Sequence, residues 1–341
     1  MKEEMAMKRL ILRLFTSLVI VVLSGLPNEI LAAPYYEGKI IKIIVGFSPG
    51  GGYDRMSRML AKHLPKHIPG KPSIIVDNMT GGASAIAANY IYNVAKPDGL
   101  TIGAVDQGLA FGQLLKVAGI KFDARKFSWV GSTGVEPTIL TLRSDLPYKT
   151  IEDLRKEKKE VFLGSVGKAS TDYQFPTLLK EFVGINFNFV IYPGGADINL
   201  AIERKELDGR VGSYSSLKPF IERGLLRPFV RCRVSVQGIE SLPVDEDLTN
   251  DIIGKRLMSM LAAPARLGRP YIAPPGIPNK IMNILWDAFA QVVKDPELKE
   301  DAKKNRFEIE YVSADEIQRI LNELFNQPPD IIEEFRKYIK F

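Results

Sequence analysis

The sequence predicts an α/β protein built as two lobes, and three observations carry that reading. From Lys39 onward, short apolar runs alternate with helix-patterned segments, the signature of βαβ units. Near the middle, "FSWVGSTG" and "PTILTLRS" stand almost back to back with no helix between them, and a second alternating set follows. Four of the strand-to-helix junctions share one composition, glycine with Ser, Thr or Asp.

Taken in order, "IKIIVGF" is expected as a strand, followed by a helix over Arg55–Leu64 with Met56, Met59 and Leu60 on one face. "PSIIVDN" reads as the next strand, Ala83–Val94 as a small-residue helix, "TIGAV" as a strand and "GLAFGQLLKV" as a helix. The paired runs then mark a crossing between lobes. The second set comprises a helix over Ile151–Lys158, strand "VFLGSV", a helix over Thr171–Phe182, strand "FNFVIY", a helix over Ile198–Lys205 and a strand around Leu207–Ser213. "QGIESLPVDEDLTND" is polar and acidic and reads as a loop. The tail carries "RLMSMLAAPARL", a Pro-rich turn "IAPPGIPNK", and amphipathic helices over Ile281–Val293 and Ala314–Phe325. The expected organisation is residues 1–33 as an export signal, 36–136 as the first part of lobe 1, 137–255 as lobe 2, and 256–341 returning to lobe 1 with C-terminal helices.

The export signal rests on the order of charges and apolar residues. Lys8, Arg9 and Arg13 precede "LFTSLVIVVLSGLP", and small residues follow, with cleavage expected near Ala32 or Ala33. The apolar run is about a dozen residues, short of the roughly 20 that span a bilayer. Cys232 is the only cysteine, so no internal disulfide forms and the exported chain relies on core burial. His63 and His67 are the only histidines. Pro65 between them distorts their helix, so they are expected as surface residues of its last turns, with no metal site. No histidine remains elsewhere to serve as a general base, which removes Ser-His-Asp and Cys-His hydrolases. The net charge of +6 comes without a Lys/Arg block interleaved with aromatics, so no nucleic-acid partner is expected.

The chemistry lies in the four junctions, "FSPGGGYD" (47–54), "NMTGGASA" (78–85), "GSVGKASTD" (164–172) and "YPGGADIN" (192–199). In a parallel sheet such loops sit at the carboxyl edge of the strands, where ligands bind. The first turn of a helix offers unpaired N–H groups and the positive end of its dipole, and glycine lets a ligand approach the backbone. One terminus contributes roughly 0.3–1 kcal/mol to a charge, whereas micromolar binding needs about 8 kcal/mol. Several junctions must therefore converge on one anion. Nucleotide motifs fail: Arg55 stands where the dinucleotide fingerprint needs its third glycine, and "VGKAS" lacks the Gly-Lys-Ser/Thr ending of a P-loop.

The segments "IVGFSPGGGYD", "VDNMTGG", "AKPDGLTIG", "VIYPGGAD", "KELD" and "APPGIPNKIMNILWDAF" together resemble the extracytoplasmic receptors of the tripartite tricarboxylate transporter family, the Bug receptors, over about Lys39–Phe325. The resemblance implies a type II periplasmic-binding-protein fold with a ligand cleft between the lobes. It also implies a periplasmic, non-enzymatic, monomeric receptor without cofactor. Such a receptor binds a small organic carboxylate and delivers it to the membrane permease subunits of a tripartite tricarboxylate transporter. Carried onto this chain, the lobe 1 contacts are Gly51, Gly52, Tyr53 and Asp54 with Gly81. The lobe 2 contacts are Gly167, Ser170, Thr171, Tyr192 and Gly194. Asp54 and Ser84 are expected as helix caps, and Lys168 is a candidate cation for a second carboxylate. An alternative of a different class is a periplasmic sensory module that presents the bound carboxylate to a membrane histidine kinase.

Overall fold

Two five-stranded sheets of one plan organise the chain, as seen in a computed structural model that describes residues 33–339 together with Met1, Met5 and Met7. The expected export signal lies almost wholly outside the described residues. In the first sheet, β1 (Ile40–Val45) pairs in parallel with β2 (Ser73–Asn78) and β3 (Thr101–Ala104). Beyond β3 come β4 (Ser128–Ser132) at the edge and, between them, the late strand β10 (Pro270–Ala273), antiparallel to both. In the second sheet, β6 (Val161–Ser165) is parallel to β7 (Phe187–Ile191) and β8 (Gly209–Ser213). Next to β8 lies β5 (Thr138–Arg143), antiparallel to it and to the edge strand β9 (Leu226–Arg231).

Each sheet thus has three parallel strands and one strand inserted antiparallel between β3 or β8 and the edge. β4 and β5 are consecutive in sequence but belong to different sheets, and β10 returns the chain to the first. β10 is buried along its whole length, because a strand inserted between two neighbours and covered on both faces has no solvent side. Its sequence, "PYIA", is too short and too proline-flanked to read as a strand beside the Pro-rich turn that follows. Tertiary pairing overrides local propensity there.

Helices follow the strands: α1 (Gly52–His63), α2 (Ala85–Asn93), α3 (Leu109–Leu114), α4 (Ile151–Lys156, after the antiparallel β5), α5 (Thr171–Val183), α6 (Gly195–Glu203) and α7 (Tyr214–Glu222). The tail adds α8 (Ile252–Met260), α9 (Ala262–Leu267), α10 (Asn279–Val292), α11 (Pro296–Lys304), α12 (Ala314–Phe325) and α13 (Pro329–Tyr338). α13 straps the two halves together. Phe335 meets Phe111 of α3 edge-on at 4.9 Å, and Tyr338 meets Phe182 of α5 at 5.0 Å. None of the described helices is long and apolar enough to cross a membrane.

His63 departs from the surface placement expected of it. It is buried at the end of α1, with Nε2 2.7 Å from Asp301 of α11, because α11 packs across that end. Lys66 sits between Asp295 (2.6 Å) and Glu297 (2.7 Å), so the nearby acidic groups already have a cation from the chain itself. Cys232 is buried, and burial pushes its thiol up to about 12.

The crossings between the sheets meet at one buried ion pair. Arg269, just before β10, has its Nε 2.9 Å from Glu136, which lies between β4 and β5. Both side chains are almost completely excluded from solvent. Nη2 of Arg269 also donates to Ser215 (2.7 Å) and Ser216 (2.9 Å) of α7, and Ser215 donates to Glu136. Breaking a buried pair on one side leaves an uncompensated charge and costs about 3–5 kcal/mol, whereas replacing both partners by apolar groups is far cheaper. Arg269→Leu is therefore expected to lose that much stability in urea unfolding, and Glu136→Leu/Arg269→Leu to recover most of it. Equal losses in the single and double variants would contradict the pairing.

Candidate functional site

The glycine-rich junctions place the first turns of several helices around one cavity of about 290 Å³ between the two sheets. That is close to the lower end of small-molecule pockets, about 300 Å³. On one side lie Gly50, Gly51, Gly52, Tyr53 and Arg55, with Asp106 beyond β3. Facing them are Ser170 and Thr171 at the start of α5, Gly195 and Asn199 of α6, Arg210 of β8, and Ser213 and Ser216 at the start of α7.

Sterics account for the glycine run. Gly50 has φ +84°, the left-handed region that suits glycine. A Cβ on Gly52 would lie 2.1 Å from Ser216 Oγ and 3.0 Å from Arg269 Nη1. The start of α1 is therefore pressed against the start of α7 from the other half. Gly194 does the same opposite the first junction, where a Cβ would stand 2.8 Å from the Ser48 backbone nitrogen.

The two halves are closed on each other around the cavity. Ser48 donates to Asp197 of α6 at 2.5 Å, and the Ala83 amide donates to the Val166 carbonyl at 3.2 Å. Asp106 makes the third bridge. Its Oδ1 accepts from the Gly108 amide (2.7 Å), and Oδ2 accepts from Ser170 Oγ across the gap (3.3 Å), with the Thr171 amide also directed at it. A carboxylate of the first half thus sits on the N-terminus of a 13-residue helix of the second, where the helix dipole favours an anion. Burial, with repulsion from Asp172 behind it, nevertheless raises its pKa to about 7.

Three further wall groups are fixed by partners. Tyr53 stacks on Phe47 at 4.7 Å, and its hydroxyl accepts from the Gln107 amide at 2.9 Å. Burial holds the phenol well above its ordinary range. Arg210 donates through Nη1 to the Gly195 carbonyl (2.8 Å) and Asn199 Oδ1 (3.0 Å), pinning the start of α6. Asp172 accepts from Ser165 Oγ (2.7 Å) and the Val166 amide, and burial raises its pKa.

Of the residues singled out from sequence, Gly51, Gly52, Tyr53, Ser170 and Thr171 line the cavity. Asp54, Gly81, Gly167, Tyr192 and Gly194, together with Lys168, do not. Asp54 is not the cap of α1, a position held by Gly51. It reaches back from the first turn to accept the Gly50 amide (2.8 Å) and pairs with Arg58 (3.0 Å), which shapes the glycine turn. Ser84, with φ +68°, holds the N-cap position of α2 but makes no side-chain cap bond; its Oγ instead accepts the Asp106 amide at 2.8 Å, steering that residue into the gap. Gly167 approaches Ala83 and Gly194 approaches Ser48, so these glycines form the seam between the halves. Sequence reasoning missed Arg55, Asp106, Asn199, Arg210 and Ser216. The signal available was Arg55 itself, a long cationic side chain three residues after a glycine that opens a helix.

The raised acid gives a signed pH dependence. Because the folded state holds the Asp106 proton to about pH 7, this group's contribution to stability is full below the ordinary carboxylate pKa and is lost as pH rises through 7. Asp106→Asn is therefore expected to flatten the fall of thermal stability between pH 5 and pH 8 relative to the parent chain. Parallel pH profiles for the two proteins would show that Asp106 does not titrate there.

Comparison with known proteins agrees with this architecture. Residues 56–336 match the model of the family described as "Tripartite tricarboxylate transporter family receptor". A UPF0065 protein of Bordetella pertussis is 24% identical over 309 residues, spanning 89% of this chain and 91% of the relative. The periplasmic binding protein BugD superposes with a TM-score of 0.73 at 20% identity, over 89% of this chain and 98% of BugD. MatC of Rhodopseudomonas palustris, solved with bound malate, gives a TM-score of 0.69 at 16% identity, over 89% and 99% of the two chains. With two lobes closing on one cavity and a family match across most of its length, this chain belongs to the receptors of the tripartite tricarboxylate transporter family.

Proposed function

We propose that the chain captures a small organic carboxylate in the cavity between its lobes and delivers it, in the closed form, to the membrane permease of a tripartite tricarboxylate transporter. The observation that carries this reading is the convergence of the α1, α6 and α7 N-termini on one small cavity closed by direct contacts between the halves. The fourth terminus, that of α5, already holds the Asp106 carboxylate, an internal example of the group the others accept. MatC, which shares this fold, was solved with bound malate, a small organic acid. In this reading residues 1–33 direct export and the mature receptor works as a monomer in the periplasm.

Charge-assisted hydrogen bonds of roughly 1.5–3 kcal/mol each mean that three or four donors reach the ~8 kcal/mol of micromolar binding. The wall carboxyls of Asp106 and Asp172 are each held by several donors, an arrangement suited to holding a ligand rather than to transforming it. Native mass spectrometry of the mature protein, followed by denaturation, is expected to release a small mono-, di- or tricarboxylate at near-unit occupancy. From an emptied protein, an acid at about 100-fold over Kd should add roughly 2.7 kcal/mol of stability, a shift of a few degrees. Stabilisation by neutral or cationic solutes, with none by acids, would overturn the proposal.

A further inference from the structure

We infer that Arg55 is the charge partner of the bound acid, so that this receptor reads a carboxylate through a guanidinium fork as well as through backbone amides. The inference rests on the carboxylate-binding reading above and names the residue that sets its charge selectivity.

Around the cavity, three guanidinium groups have counter-ions of their own. Arg269 is compensated by Glu136, Arg223 by Glu203 at 2.8 Å, and Arg210 faces the buried carboxylate of Asp172. Among the described residues the Arg55 side chain has neither a carboxylate nor a hydrogen-bond partner, although its Nε is buried. What it touches is the face of Phe307, 4.7 Å from the ring centroid, and that ring is shared with Arg269 at 5.1 Å. Burial and the Arg269 charge both act to strip the Arg55 proton. A half-buried cation with an orphaned donor, repelled by a second cation, stands in a wall that its own chain does not neutralise.

Geometry directs that charge at the ligand. Arg55 stands one turn after Gly52, and helical side chains lean toward the N-terminus, so its stem lies over the glycine turn. The fully buried Arg269 lies behind the same turn with Nη1 unpartnered, 3.0 Å from where a Gly52 Cβ would stand. The first turn of α1, its helix dipole and the uncompensated Arg55 guanidinium therefore build one positive pole. Phe307 backs the Arg55 guanidinium, whose planar fork can make the two parallel hydrogen bonds that match a carboxylate.

Titration calorimetry of the parent, Arg55→Gln and Arg55→Lys proteins with malate, adipate, propionate and the neutral succinamide, at low and high salt, tests this. The expected result is a loss of about 10- to 100-fold in acid affinity for Arg55→Gln, the scale of one charge-assisted pair, with a weaker salt dependence. Arg55→Lys should fall between, keeping the charge without the fork. Unliganded Arg55→Gln should melt no lower than the parent, since it relieves the repulsion from Arg269; were it unstable, Arg55→Lys carries the comparison alone. Unchanged acid affinity and salt dependence in the variants would overturn the role of Arg55 while leaving the carboxylate receptor intact. A parent protein that binds only succinamide, or none of the four, would overturn both.

Discussion

The ion pair between Arg269 and Glu136 joins every segment by which the chain passes from one lobe to the other. Glu136 lies on the passage from β4 to β5, Arg269 on the return to β10, and Ser215, which bonds both, on the helix that begins the far wall of the cavity. A buried pair of this kind adds little net stability over an apolar substitute. What it supplies is position. The planar guanidinium spends its Nη2 on hydroxyls of α7 while facing Tyr53 at 5.1 Å, so the starts of α1 and α7 are held at a fixed distance. α13 completes the frame on its own side by packing on a helix from each half.

Within that frame, the cavity is an electrostatic balance. Four helices begin at or beside it, and a carboxylate from the protein itself already occupies one of those termini. Asp106 sits on α5 with hydrogen bonds that favour its charged form, yet burial, with repulsion from Asp172, pulls the other way and raises its pKa to about 7. The α5 terminus is thereby closed to a ligand. The starts of α1, α6 and α7 remain around the cavity, with Arg55 unpaired on the α1 side. The division of labour is physical: one anion site is consumed in bringing the lobes together, and the others remain for the cargo.

The fold was largely legible because its signals are local. Alternating apolar runs mark β1 to β8, and the junction glycines mark the edges where helices turn back. The placement of Gly51, Gly52, Ser170 and Thr171 at helix starts beside the cavity could also be read, since a strand-to-helix junction is a local pattern. Side chains that meet across the lobes could not. Arg269 lies 216 positions after Tyr53, and nothing in "RLGRPYIAPPG" announces that its arginine will be buried behind that ring. Ser84 looks like a cap and instead steers Asp106; Gly194 looks like a ligand contact and instead lets the lobes touch. In both cases the local pattern was sound, and a partner distant in sequence determined its use.

The central claim is that a small acid binds between the lobes against the α1 turn, and a crystal structure of the mature protein with malate or the released native acid tests it most directly. The account predicts a ligand carboxylate within hydrogen-bonding distance of the Gly52 or Tyr53 amide and the Arg55 guanidinium, with Asp106 still on the start of α5. An acid bound outside the cavity, or seated on the α5 terminus with Asp106 displaced, would contradict it.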